Sequence, residues 1–306
     1  MKKPISLLTA AIMAAACLTA CSSAGNPTAA TAAIDTAVAA AATTASAATT
    51  EATTVASATA PSVELIVFAA ASMTETLNEI GSMYTAAHPN VTLTFNFDSS
   101  GTLKAQIQEG ASCDLFISAG QKQMNQMDKT SDAAVNTEGL DLVLLGTRVN
   151  LLENKVVLVV PKSNPKNIKC FDDMAAGLND GSILMAMGNS DVPVGQYTQK
   201  ILTYYKLDEA TLASAGVLSY GTNVKEVTTQ VSQGTVDCGV VYYTDALSAG
   251  LTNVAEATRD MCGQAIYPAA LINTTAHKDQ AQAFLNYLKT DEAMTIFKNA
   301  GFNAVA

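Results

Sequence analysis

The sequence predicts an α/β protein with parallel sheets covered on both faces, and three observations predict it. Short apolar runs of strand composition recur along the chain, and segments with apolar residues at helical spacing lie between most of them. Several runs also end in a small-residue turn that opens the next helix. The pattern fills about 245 residues from Ser62 to Ala306, enough for two domains of ordinary size.

The first strand, Val63 to Phe68, runs into Ala69-Ala70-Ala71-Ser72-Met73-Thr74, and the helix behind it carries Met73, Leu77, Ile80 and Tyr84 on one face. The second, Val91 to Phe97, runs into Asp98-Ser99-Ser100-Gly101-Thr102-Leu103. Further strands are predicted at Asp114 to Ala119, Lys155 to Pro161, Ser182 to Met187, Gly216 to Tyr220, Cys238 to Tyr243 and Ala265 to Asn273. Near the end, Ala283, Phe284 and Leu288 with Met294 and Phe297 mark helical faces. Turns that open helices present unpaired N–H donors and a positive dipole end, so the Ser-bearing turns are candidate anion sites that need no Lys or Arg.

The chain begins Met1-Lys2-Lys3, continues as an apolar and small-residue run from Ile5 to Ala20, and reaches Leu18-Thr19-Ala20-Cys21. The run is short for a membrane span and has the order of a secretory signal. Its end resembles a lipobox, which implies a signal over 1–21 and lipidation of Cys21 as the mature N-terminus. Removing Lys2 and Lys3 takes the formal charge from −10 to −12, which argues against binding nucleic acid or an anionic lipid surface through a basic face. Residues 22–61 are mostly Ala, Thr and Ser, too poor in large apolar groups to offset their ordering entropy, and are predicted to be a disordered tether, with a frayed Ala-rich helix as the competing reading that the many β-branched Thr weaken.

Catalytic and metal chemistry find little support. Cys113, Cys170, Cys238 and Cys262 match no zinc spacing, and the chain has only two His, His88 and His277. Cys113 and Cys238 open predicted strands and read as small buried apolar groups. An exported protein can hold one or two disulfides among these four cysteines, with three full pairings that sequence does not separate. His88 falls in the loop ending the first helix and His277 begins a C-terminal helix; neither has a partner to orient it as a base. Ser72 and Ser100 are the nucleophile candidates for a secreted hydrolase, but no G-x-S-x-G, S-x-x-K or H-E-x-x-H occurs. No G-x-G-x-x-G or G-x-x-x-x-G-K-[ST] occurs either, so no nucleotide cofactor is indicated.

Five segments, A-A-A-S-M-T at 69–74, F-D-S-S-G-T-L at 97–103, D-L-F-I-S-A-G at 114–120, V-P-V-G-Q-Y at 192–197 and G-V-V-Y-Y-T-D-A at 239–246, together resemble the molybdate-binding component of bacterial ABC transporters. The likeness runs from Val63 to Phe302 in the family's order. It implies the type II periplasmic-binding-protein fold: two α/β lobes, two crossover strands and a ligand cleft between them. By analogy the crossovers lie near Lys155 to Pro161 and Ala265 to Asn273, giving a discontinuous first lobe of 62–154 and 266–306 and a second lobe of 155–265. It also implies a non-catalytic, lipid-anchored extracytoplasmic monomer that needs no cofactor and delivers molybdate or tungstate to a permease.

The resemblance carries the family's oxyanion ligands onto Ser72, Ser100, Val194, Val224 and Tyr242. The serines would supply hydroxyl and backbone donors, the valines backbone N–H groups, and Tyr242 a phenol. Tyr243 is the rival to Tyr242, and strand alternation lets only one face the cleft. Taken singly, each of the four turn residues also reads as a helix cap. Three features bear on the implied site: Gly101 replaces the Ser of some family members, Gly120 replaces an Asp, and Asp98 is expected to point outward because a buried carboxylate facing a dianion is severely unfavourable. A site of donors alone favours fully deprotonated dianions, since a proton kept by phosphate near neutral pH needs an acceptor and costs about 1–3 kcal/mol unpaired. The alternatives are sulfate or phosphate in the same fold, a serine hydrolase, and a surface protein with no small ligand.

Overall fold

The structure, a computed structural model, describes residues 61–305; the predicted signal, Cys21 and the tether up to residue 60 lie outside the described residues. Two sheets organise the described chain. The first has six strands in the order β11-β4-β10-β3-β1-β2, with β1 Val63–Ala70, β2 Val91–Asp98, β3 Leu115–Ile117, β4 Val149–Asn154, β10 Ala265–Leu271 and β11 Asn303–Ala304. The second has five in the order β7-β6-β8-β5-β9, with β5 Val156–Val160, β6 Met185–Gly188, β7 Leu218–Gly221, β8 Cys238–Tyr242 and β9 Thr252–Glu256.

The chain passes from the first sheet to the second across Lys155 alone, and returns between β9 and β10. The predicted run Lys155 to Pro161 is therefore β5, wholly in the second sheet, and Ala265 to Asn273 is β10, wholly in the first.

The expectation of parallel sheets holds only in part. β1 pairs parallel with β2 and β3, and β6 with β7 and β8, as helix-covered crossovers require. The strands next to the passages, β4, β5 and β10, pair antiparallel with their neighbours. β5 and β10 enter their sheets from the other lobe and β4 leaves its sheet for it, so the helix-covered crossover that makes βαβ neighbours parallel does not set these pairs. β4 and β9 escaped the prediction because β4 carries Asn150, Glu153 and Asn154 and β9 is a half-exposed edge strand.

The predicted helical faces bury as their spacing requires. The turn Ala71–Met73 is a single 3₁₀ turn holding Met73, and α1 (Thr74–Ala87) buries Leu77, Ile80 and Tyr84. α2 (Ser100–Gln108) and α3 (Gln121–Met127) follow, and α4 (Phe171–Asp180) opens the second lobe's helices. After these come α5 (Pro193–Tyr204), α6 (Glu209–Ser214), α7 (Val224–Ser232), α8 (Tyr243–Ser248) and α9 (Arg259–Cys262). In α10 (Lys278–Tyr287) the buried face is Ala281, Phe284 and Leu285, while Ala283 is exposed, one position off the expected stripe; α11 (Asp291–Asn299) buries Phe297. β5 is buried along its whole length, as a continuous apolar run must be in a sheet covered on both faces.

All four cysteines of the described residues are free thiols; Cys113, Cys238 and Cys262 are buried and Cys170 is half-buried. His88 caps the C-terminus of α1 with its ring on the Tyr84 carbonyl, and His277 precedes α10.

Candidate functional site

Ser72 lies in the 3₁₀ turn at the C-terminal end of β1 and is 5% exposed. Its Oγ sits 2.9 Å from the Tyr267 hydroxyl on β10. Ser100 is the first residue of α2, and its fully buried Oγ accepts the Ala119 N–H at 2.9 Å. Neither serine caps a helix: the cap of α2 is Ser99, whose Oγ accepts the Thr102 N–H, and the turn before α1 has no side-chain cap. That leaves the hydroxyls of Ser72 and Ser100, and the first N–H groups of their turns, outside the helix hydrogen-bond ladder.

The second lobe contributes two helix starts and one strand end. Val194 is the second residue of α5; Pro193 ahead of it has no N–H, so the first N–H of that helix is Val194's own, and no side chain caps it. Val224 is the first residue of α7 after Asn223, whose side chain accepts the Glu226 N–H at 3.1 Å. Tyr242 ends β8, is 1% exposed, and donates its hydroxyl to the Ala119 carbonyl at 3.2 Å. Tyr243 begins α8 and packs against Gly301 instead, so Tyr242 is the tyrosine on the cleft side.

Three of the expected residues, Ser72, Ser100 and Tyr242, are brought into one cluster. Ala119 meets Ser100 through its N–H and Tyr242 through its carbonyl, and the Tyr242 ring packs edge-on against Tyr267 at 5.6 Å, next to Ser72. α7 packs on the 3₁₀ turn that carries Ser72, and Asn223, just ahead of Val224, reaches Asp98 of the first lobe. α5 joins through Tyr197, whose ring lies 6.2 Å from that of Tyr242.

Three neighbours of this cluster were not named from the sequence. Asn154, at the end of β4, donates from Nδ2 to the Tyr267 hydroxyl at 3.1 Å and to Thr244 Oγ1 at 3.0 Å. The signal for Tyr267 was present: a tyrosine inside an otherwise apolar strand, A-I-Y-P-A-A-L, needs a partner for its hydroxyl once buried. Asn154 and Thr244 had no such signal. Burial pushes the phenols of Tyr242 and Tyr267 well above the usual tyrosine range, so both remain protonated.

The match that decides the family covers almost the whole described chain: residues 65–303 fit the family described as bacterial extracellular solute-binding protein. The chain belongs to this family. Among similar proteins are the molybdate-binding protein ModA of Haemophilus influenzae, 32% identical over 80% of this chain and 92% of that protein, and ModA of Escherichia coli, 33% identical over 80% and 91%. YvgL of Bacillus subtilis, named provisionally as an ABC transporter substrate-binding lipoprotein, is 34% identical over 79% of this chain and 87% of its own. The solved periplasmic molybdate-binding protein of Azotobacter vinelandii superposes with a TM-score of 0.66 at 22% identity, over 79% of this chain and all of that one, and supports the fold. The two-sheet solute-binding architecture is thus that of type II periplasmic-binding proteins.

In this solute-binding protein the lobes touch across the cleft. On the first lobe, Gly101 and Gly120 face the turn that opens α5: a Cβ on Gly101 would fall 2.3 Å from the Asp191 carbonyl oxygen, and one on Gly120 would fall 3.2 Å from Pro193 Cβ. Gln123 adds a bond from Nε2 to the same Asp191 carbonyl at 3.3 Å. Asp98 departs from expectation. It is half-buried, and its Oδ1 accepts from the Ser99 N–H at 2.7 Å and from Asn223 Nδ2 of the second lobe at 3.3 Å. A local amide and a cross-cleft amide compensate the carboxylate, so it need not turn to solvent.

Lys225, next to Val224, is the cation nearest the site in sequence, and two acids hold it. Its Nζ pairs with Glu75 of α1 at 2.9 Å, across the cleft, and lies 3.4 Å from Asp245 Oδ1 on α8. Burial would raise Glu75, but the Lys225 bond and charge outweigh it and leave its carboxyl lowered. Asp245 has no exposed side-chain surface, and beyond the 3.4 Å Lys225 contact neither of its oxygens has a hydrogen-bond partner among the described residues. Burial, only partly offset by Lys225, pushes its carboxyl up to about 7.

Proposed function

We propose that this solute-binding protein closes its two lobes around a tetrahedral dianion, molybdate with tungstate beside it, and hands it to an ABC transporter permease. The observation that carries the reading is the convergence of buried hydroxyls and helix N-termini on one cluster, Ser72, Ser100 and Tyr242 with the starts of α5 and α7. Lys225, beside Val224, is already paired with Glu75. The names of the ModA relatives support molybdate as the solute. A ligand bonded by donors of both lobes binds the closed state better than the open one and so shifts the population toward closure.

The anchor in this reading is a lipid on Cys21, which keeps a monomeric receptor outside the cell beside its permease; the lipoprotein name of the Bacillus relative supports it. No reaction is assigned. Ser72 faces a phenol and Ser100 a backbone N–H, and neither partner can take a proton as a general base.

Thermal melting with molybdate, tungstate, sulfate and phosphate tests the proposal. A ligand present at a hundred times its dissociation constant stabilises the fold by about 2.7 kcal/mol. Molybdate and tungstate are expected to raise the melting temperature strongly and phosphate not at all. Stabilisation by phosphate alone, or by none of the four, rejects the reading.

A further inference from the structure

We infer that Asn154 and Tyr267 are positioning residues that fix the direction of the Ser72 hydrogen bond, so that Ser72 presents its hydrogen to the bound anion. The inference rests on the proposed oxyanion site and adds the reason for its selectivity. The chain of bonds begins at a group whose polarity admits no choice. The Lys155 backbone N–H donates to one end of the Asn154 amide at 2.8 Å, which identifies that end as Oδ1. The other end is then Nδ2, and it donates to the Tyr267 hydroxyl at 3.1 Å and to Thr244 Oγ1 at 3.0 Å.

The Tyr267 oxygen, having accepted from Asn154, has one proton to place. Among the described residues its one remaining partner is Ser72 Oγ, 2.9 Å away. All of these side chains are buried, so a phenol proton without an acceptor would carry a desolvation cost. Tyr267 therefore donates to one lone pair of the Ser72 oxygen, and the Ser72 hydrogen is turned away from Tyr267. That hydrogen is left for the ligand. Ser100 is set in the same sense by a shorter route, because the Ala119 N–H already donates to its Oγ.

Both serines thus face the ligand with hydrogens. A dianion without protons satisfies both. A phosphate that keeps a proton meets the same two hydrogens and is left only the second lone pair of each oxygen, so it is the poorer fit unless Ser72 turns over, and turning it over would break the order back to Lys155. The relay also lies where the chain passes between the lobes: Asn154 and Lys155 at one passage, Tyr267 on the strand that returns from the other.

The test is calorimetric titration of the full protein with molybdate and with inorganic phosphate, near pH 7.5, for wild type, Tyr267→Phe and Asn154→Asp. Tyr267→Phe keeps the ring packed on Tyr242 and Phe302 but frees the Ser72 hydroxyl to rotate. The ratio of molybdate to phosphate affinity is expected to fall roughly tenfold or more, the equivalent of one hydrogen bond. Asn154→Asp puts an acceptor where Nδ2 stood, draws the Tyr267 proton away from Ser72, and is expected to lower the ratio as well. Adding Ser72→Ala to Tyr267→Phe should cost molybdate less than adding it to wild type. Equal weakening of both anions, or additive losses in the double variant, would overturn the relay while leaving the oxyanion site standing. Failure of the wild type to bind any oxyanion would overturn the site itself and the relay with it.

Discussion

Gly101 and Asp191 meet across the interlobe cleft with no space for a side-chain carbon between them: the Asp191 carbonyl oxygen is 2.3 Å from where a Cβ on Gly101 would stand. The contact is backbone against backbone, so no rotamer change relieves it. Gly101 belongs to the first turn of α2, where alanine is tolerated, so the cost of a methyl group falls on closure and not on the lobe. Gly101→Ala is expected to weaken anion binding by about 1–3 kcal/mol, the usual penalty of overpacking, with the ligand-free melting temperature unchanged. Small-angle scattering of the liganded protein should show a larger radius of gyration than wild type. Wild-type affinity in the variant would remove the contact from the closure mechanism.

Ser72→Ala and Tyr242→Phe each delete one hydroxyl from the buried cluster without changing its packing. Each is expected to reduce molybdate affinity by roughly 1–3 kcal/mol, the cost of a buried polar group left unpaired. Titration calorimetry measures it. Unchanged affinity in both would displace the site from this cluster.

Asp245 gives stability a pH dependence whose sign follows from its burial. Its carboxyl is raised from 3.8 to about 7, so the folded chain holds a proton that the unfolded chain releases between these values. The stability it contributes is complete below the ordinary carboxylate range and is lost as pH rises through about 7. Asp245→Asn removes the titration and leaves Lys225 paired with Glu75. The melting temperature of this variant relative to wild type is expected to rise from pH 5 to pH 8. A difference that stays constant over that range contradicts the assignment.

The cysteines separate by exposure. Burial pushes Cys113 and Cys238 up to about 12 and Cys262 up to about 11, whereas Cys170 is half-buried. Brief alkylation of the native protein followed by peptide mass mapping should label Cys170 ahead of the other three, because those three are shielded from reagent and held as unreactive thiols. Reductant should leave the melting temperature unchanged. A large drop on reduction would reveal a disulfide.

The local alphabet of the fold was legible because it depends on neighbours in sequence. The stripe Leu77, Ile80, Tyr84 and the buried run of β5 follow from helical spacing and from unbroken apolar content, and both sit as read. Ser72 and Ser100 were legible as candidates because small-residue turns after strands place them at helix starts. Asp98 was misread because Asn223, which satisfies it from the other lobe, lies 125 residues away.

By itself, then, the sequence determined the α/β class, the residue types at the turns and the absence of Lys and Arg from the five segments that carry the resemblance. Tertiary structure alone decided the antiparallel strands beside the two passages, the touch of Gly101 on Asp191, and the partnership of Ser72 with Tyr267, 195 residues apart. Periodicity records which way a residue faces relative to its own element. Which hydroxyl meets which, and in what direction its proton points, depends on how two sheets are brought together, and no local pattern encodes that.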